Sequence, residues 1–270
     1  MASLLQSSHS LRAMPLIALS PNFACHSCSL AFHGTKLITE ILSTTASSSF
    51  RCQARRGFPG KERDEVASSA DLLFDSPLEI VEYPDPILRK KNKRIETFDE
   101  NLKRLAREMF DVMYRTDGIG LSAPQVGMSV QLMVFNAAGE RGVGEEIVLV
   151  NPQVYKYSKK NLPYNEGCLS FPGIYADVER PESVKVDAKD VSGARFVINL
   201  SGLPARVFQH EFDHLQGTLF FDRMTDAVLD EIRTQLQALE KNYEDRTGLA
   251  SPERVEDFKP TKSATGFGRS

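Results

Sequence analysis

The sequence has no tryptophan, only four cysteines and five histidines among its 270 residues, and no long apolar run. The lack of tryptophan decides nothing. The missing apolar run decides more, because stretches such as 132–135 and 147–150 fall far short of the roughly 18 residues a spanning helix needs, so a membrane span is excluded. An excess of positive charge is also missing. A formal charge of -3 and a pI near 6.0 offer no broad basic surface, which leaves polyanion binding unsupported and DNA outside the expected partners. What is present, 41% apolar and 26% charged residues, suits one or two domains with a sizeable core.

The charge is unevenly spread. Residues 1–61 hold six of the 33 basic residues but one of the 36 acidic ones, Glu40, leaving 27 basic against 35 acidic for the remainder. This basic segment, rich in Ser and Thr and carrying only a short apolar run near Leu16, reads as an organelle transit peptide rather than a secretory signal. An ordinary disordered tail is the alternative. Chloroplast stroma is the expected destination, with the mitochondrion second. Cys25 and Cys28 form a CxxC there, but no second pair follows, and the pair is read as accidental. Only Cys168, His210 and His214 remain beyond this segment. A single thiol permits no intramolecular disulfide, so the folded part should tolerate a reducing compartment.

Residues 62–77 are charged and small, as in a linker, and order is expected from Pro77. The prolines of Tyr83-Pro84-Asp85-Pro86 imply an extended turn. Thr97 with Glu100 makes a capping-box signature, and apolar residues then recur at helical spacing to Tyr114. Four segments, 130–135, 146–150, 183–188 and 195–200, read as strands. A helix is expected over 203–216, stopped by Gly217, and another over 225–243. The expected fold class is α+β, with mixed or antiparallel strands around a central helix and a C-terminal helix. A folded domain over 78–245 and a flexible tail over 246–270 complete the organisation.

The strongest chemical signal is His210-Glu211-Phe212-Asp213-His214. On a helix, residues four apart share a face, so both imidazoles can reach one cation while Glu211 lies beside a metal-bound water. Two histidines need a third ligand. The protease variant with a third histidine would want His at 220, where this chain has Phe220; a thermolysin-like acid could be Asp222 or Glu231. Cys168 is the better candidate, being a strong ligand for Zn²⁺ or Fe²⁺. Three good ligands leave a fourth position for water, as in a catalytic site. The residues alone therefore imply a hydrolytic metal site, with a zinc endopeptidase and a metal-stapled interaction module as competing readings.

Cys168 lies in Glu166-Gly167-Cys168-Leu169-Ser170, and upstream stands Gly118-Ile119-Gly120-Leu121-Ser122-Ala123-Pro124-Gln125. The two glycines fail as a dinucleotide loop and otherwise suggest a helix-ending turn. Taken with the histidine motif and the YPDPIL segment, these blocks resemble the peptide deformylase family over roughly residues 78–245, with leader and tail like those of plant organellar members. Ser122 stands where the family usually has Ala, a change expected to perturb little. The resemblance implies removal of the formyl group from N-terminal formyl-methionine of nascent organelle-encoded polypeptides, with release of formate. It implies one divalent metal, Fe²⁺ before Zn²⁺, on Cys168, His210 and His214, and Glu211 as general base. Gln125 and the Leu169 backbone N–H would be oxyanion donors. Gly120 would let the substrate backbone pass. Gly118 is a further expected substrate-binding position, Ile119, Leu203 and Val207 are candidates for the apolar pocket of the methionine side chain, with simple core packing as the alternative, and Glu166 and Arg180 would orient the Cys168 loop. Formyl-methionyl nascent peptides are the implied partners, and the organellar ribosome, met through the charged third helix, is a further expected one.

Overall fold

The computed structural model describes residues 65–258. The expected transit segment and its CxxC lie outside the described residues. Nine strands and three α-helices follow in order. Strands β1 (Val66–Ala67) and β2 (Arg94–Ile95) pair in parallel, and α1 (Glu100–Arg115) comes next. Strands β3 (Gly120–Ser122), β4 (Leu132–Phe135) and β5 (Ile147–Tyr157) lead into β6 (Asn161–Cys168) and β7 (Phe171–Pro181). Then come β8 (Ser183–Lys189), β9 (Arg195–Ser201), α2 (Gly202–Leu215) and α3 (Asp226–Thr247). The mixed helix and sheet content agrees with the sequence-based class. Among these residues no helix is long and apolar enough to cross a membrane.

Strands β3-β4-β5-β8-β9 form an antiparallel sheet in that order, so β3 is an edge strand. Strands β6 and β7 form a separate antiparallel hairpin. The alternation of β8 buries Val184, Val186 and Ala188 with Ala205, Val207 and Phe208 of α2, which fixes that helix against the sheet. Helix α1 buries Leu102, Leu105, Ala106, Met109, Phe110, Val112 and Met113 in a second cluster. A third cluster gathers Phe171, Ile174 and Val178 of β7 with Leu229, Ile232 and Leu236 of α3.

Several expected boundaries are corrected. Helix α1 is capped by Asp99, whose carboxylate accepts from Asn101 N at 3.0 Å and Leu102 N at 3.1 Å, rather than by a Thr97 box, because a carboxylate directly before the first turn reaches two orphan donors. Pro86 opens a short 3-10 helix, Pro86–Arg89, instead of an extended turn; Asp85 accepts from Ile87 N, and proline is tolerated where its missing N–H is not needed. Gly120 belongs to β3 rather than to a turn. The stretch read as a linker is folded from residue 65, since Ala67 and Leu72 fit the α1 cluster. Of the tail read as flexible, the first residues lie inside α3 and those up to 258 pack, with Val255 fully buried and Phe258 edge-on to Phe221 at 5.4 Å, while 259–270 lie outside the described residues. Gly217 ends α2 as expected, at φ 70°, and a Cβ there would sit 2.5 Å from the Arg89 carbonyl oxygen.

Candidate metal centre and active site

Helix α2 presents His210 and His214 on one face, with ring centroids 5.2 Å apart. Strand β6 ends at Cys168, where the hairpin register slips, and delivers its sulfur to within 3.2 Å of His214 Nε2. One donor atom from each of Cys168, His210 and His214 lies within 4.8 Å of the others. His210 Nδ1 meets Glu166 Oε2 at 2.9 Å, which leaves its Nε2 for a cation. The donor set of one sulfur and two imidazoles fits a divalent transition metal with an open position. His214 Nδ1 and Glu211 Oε2 are buried without a hydrogen-bond partner among the described residues.

The electrostatics are set by burial and by a charged network behind the histidines. Arg180, fully buried, donates to Glu166 at 2.8 and 3.0 Å and to Asp213 at 2.6 Å. Arg206 adds a contact to Glu166 at 3.0 Å and reaches the Val178 and Leu162 carbonyl oxygens. Burial opposes charge on Glu166, but Arg180 and His210 hold its carboxyl well below the usual range. Burial likewise opposes a charged His210, yet the Cys168 sulfur and Glu166 hold its pKa well above the ordinary value, whereas burial beside His210 keeps His214 well below it. Burial pushes Glu211 up to about 7, against lowering by His210 and by the neighbouring Ser122 hydroxyl.

A cavity of about 700 Å³ opens in front of this cluster. Gly118, Ile119, Gly120, Gln125, Glu166, Cys168, Leu169, Leu203, Val207, His210 and Glu211 all line it, so the sequence-derived site residues converge there. Arg180 stands behind the lining and His214 closes the metal triad. Gly120 is explained by crowding: a Cβ would lie 2.5 Å from Val207 Cγ1 and 2.7 Å from Glu211 Oε1. Gln125 accepts at Oε1 from Ser122 N and Oγ, and its Nε2 faces Cys168 Sγ at 3.5 Å.

Four residues of this assembly were not anticipated. Arg206 and Asp213 carry the buried network, and Asp213 also receives Arg223 at 2.6 Å. Asn92 donates to the His214 and Leu215 carbonyl oxygens at 3.2 and 3.1 Å, holding the end of α2. Ser122, expected to be neutral, donates to Gln125 Oε1 and lies beside Glu211. Only Asp213 had a signal, its position within the histidine motif on the buried side of α2.

The polypeptide deformylase family model matches residues 77–229. The chain is 71% identical over 219 residues to the chloroplastic peptide deformylase 1B of Solanum lycopersicum, covering 81% of this chain and 78% of that one. It is 66% identical over 223 residues to the chloroplastic/mitochondrial peptide deformylase 1B of Arabidopsis thaliana, covering 83% and 81%. Among solved structures, an inhibitor complex of the Arabidopsis thaliana deformylase 1B superposes with a TM-score of 0.65 at 74% identity, covering 66% of this chain and 99% of that one. The Plasmodium falciparum peptide deformylase gives a TM-score of 0.61 at 46% identity, covering 63% and 99%.

Proposed function

The chain belongs to the polypeptide deformylase family, and from that premise we propose that it removes the formyl group from N-terminal formyl-methionine of nascent organelle-encoded polypeptides, releasing formate, by the residues around Cys168, His210 and His214. The observation that carries the site assignment is the convergence of one sulfur and two imidazoles, within 4.8 Å of one another, beside the carboxylate of Glu211. The chloroplastic and chloroplastic/mitochondrial relatives support a chloroplast stroma location, with the mitochondrion second.

Cys168, His210 and His214 would hold the divalent metal, Fe²⁺ by the softness that a sulfur ligand confers and Zn²⁺ by equal fit of the donor set. When bound, the cation supplies positive charge that acidifies a water and polarises a carbonyl. Glu211 takes the water's proton at its carboxylate and later gives it to the departing amine. Gln125 Nε2 and the Leu169 N–H donate to the oxygen of the formyl group as charge builds on it. The free edge of β3 at Gly120, with the segment 118–119 leading into it, accepts the substrate backbone as an added strand, with the methionine side chain against Ile119, Leu203 and Val207. Glu166, clamped by Arg180 and Arg206, orients His210 through Nδ1. A zinc endopeptidase would have no use for a sulfur at this point, and a metal-stapled module none for Glu211.

The test is formate release from a formyl-Met peptide by anaerobically prepared, Fe²⁺-loaded protein. Glu211→Ala should lower turnover by about 10²- to 10⁴-fold while the metal stays bound. Turnover that survives the substitution would refute the role of Glu211.

A further inference from the structure

Ser122 closes β3 and is the last residue before the short 3-10 helix Ala123–Val126 that carries Gln125. It is fully buried, and two of its donors converge on one atom: the backbone N–H and the hydroxyl meet Gln125 Oε1 at 2.8 and 2.7 Å. A side-chain amide is nearly symmetric in shape but not in hydrogen bonding, because one end only accepts and the other only donates. Because the backbone N–H can only donate, the carbonyl end must lie there, and the hydroxyl, which can turn to donate or accept, adds a second donor to the same oxygen. Nε2 is thereby turned towards the cavity, 3.5 Å from Cys168 Sγ. The flipped amide would set Nε2 against the Ser122 N–H and an oxygen against the sulfur. Any residue at 122 offers the N–H; the hydroxyl is the second lock.

We propose that Ser122 is a positioning residue for deformylation, its hydroxyl holding the Gln125 amide with Nε2 aimed at the formyl oxygen. This rests on the reading of Gln125 as an oxyanion donor. A hydroxyl donating to the amide oxygen also polarises the amide, which makes its N–H a better donor. Both effects act on charge that develops in the transition state, so they belong to kcat and not to substrate binding.

The test is a double-mutant cycle on the metal-loaded full chain with a short formyl-Met peptide. Ser122→Ala should lower kcat roughly five-fold, the equivalent of one lost hydrogen bond, with KM and bound metal unchanged. Gln125→Leu should lower kcat much further, and Ser122→Ala should then add less than two-fold. An unchanged kcat in Ser122→Ala, an equal loss in both backgrounds, or a loss that tracks with bound metal overturns the proposal. Wild-type kcat in Gln125→Leu refutes the reading of Gln125 itself, and the lock with it, a result distinct from an equal loss in both backgrounds.

Discussion

At the scale of single residues, Glu211 shows a direct conflict between environment and charge. Its carboxyl is 4% exposed, and burial raises its pKa from the ordinary range to about 7. A carboxyl with a higher pKa in the folded than in the unfolded chain favours folding while it is protonated. That contribution is complete below its unfolded value near 4.5 and is lost as the pH rises through about 7. The metal-free chain should therefore lose thermal stability relative to Glu211→Gln between pH 4.5 and 7, which melting curves of the two proteins across that window would show. Parallel curves would contradict it. The ligand histidines were legible because a four-residue spacing on a helix places both on one face whatever surrounds it. Ser122, Asn92 and Arg206 were not. Their partners are 3, 122 and 40 residues away, and for the latter two the contact exists only once α2 lies against the hairpin and the N-terminal segment.

At the scale of elements, the three helices and strands β4, β5, β8 and β9 of the main sheet follow from apolar periodicity, whereas β3 and the hairpin that delivers Cys168 were missed. Strand β6 is largely exposed along Asn161 to Asn165 and buries Glu166, while Pro163, Gly167, Pro172 and Gly173 read as punctuation. Strand β6 thus gives no alternation to detect, whereas β7 buries every second residue from Ile174 to Arg180; the hairpin is held by the packing of β7 on α3 and by the Arg180 and Arg206 contacts. The start of α1 teaches the same lesson on a smaller scale. Two nearby signatures competed, and the carboxylate adjacent to the first turn prevailed. Asp99→Ala should cost about 1 kcal/mol of stability in denaturant unfolding and leave deformylation untouched, since Asp99 lies away from the cavity lining. An unchanged midpoint would return the cap to Thr97.

At the scale of the molecule, charge marks an acidic remainder after residue 61, and among the described residues the order reaches beyond the 78–245 expected for the folded domain at both ends, because short apolar anchors in polar segments leave no periodic trace. Leu72 and Val255 are such anchors, 1% and 0% exposed. After α3 the chain returns across the hydrophobic cluster of β7, and Glu253 pairs with Arg89, which also holds Asp222. Ending the chain at Gly248 should lower the melting temperature, the burial of Val255 alone being worth about 1.5 to 3 kcal/mol, while the folded fraction keeps its kcat because none of the described residues removed lines the cavity. An unchanged melting temperature would restore the flexible tail. The central claim, that one cation is shared by Cys168, His210 and His214, is tested most directly by X-ray absorption on the Zn²⁺-loaded chain. The account predicts one sulfur neighbour at about 2.3 Å and two imidazole nitrogens at about 2.0–2.1 Å, with the sulfur shell lost in Cys168→Ala. A first shell of nitrogen and oxygen alone in the unsubstituted protein would contradict it.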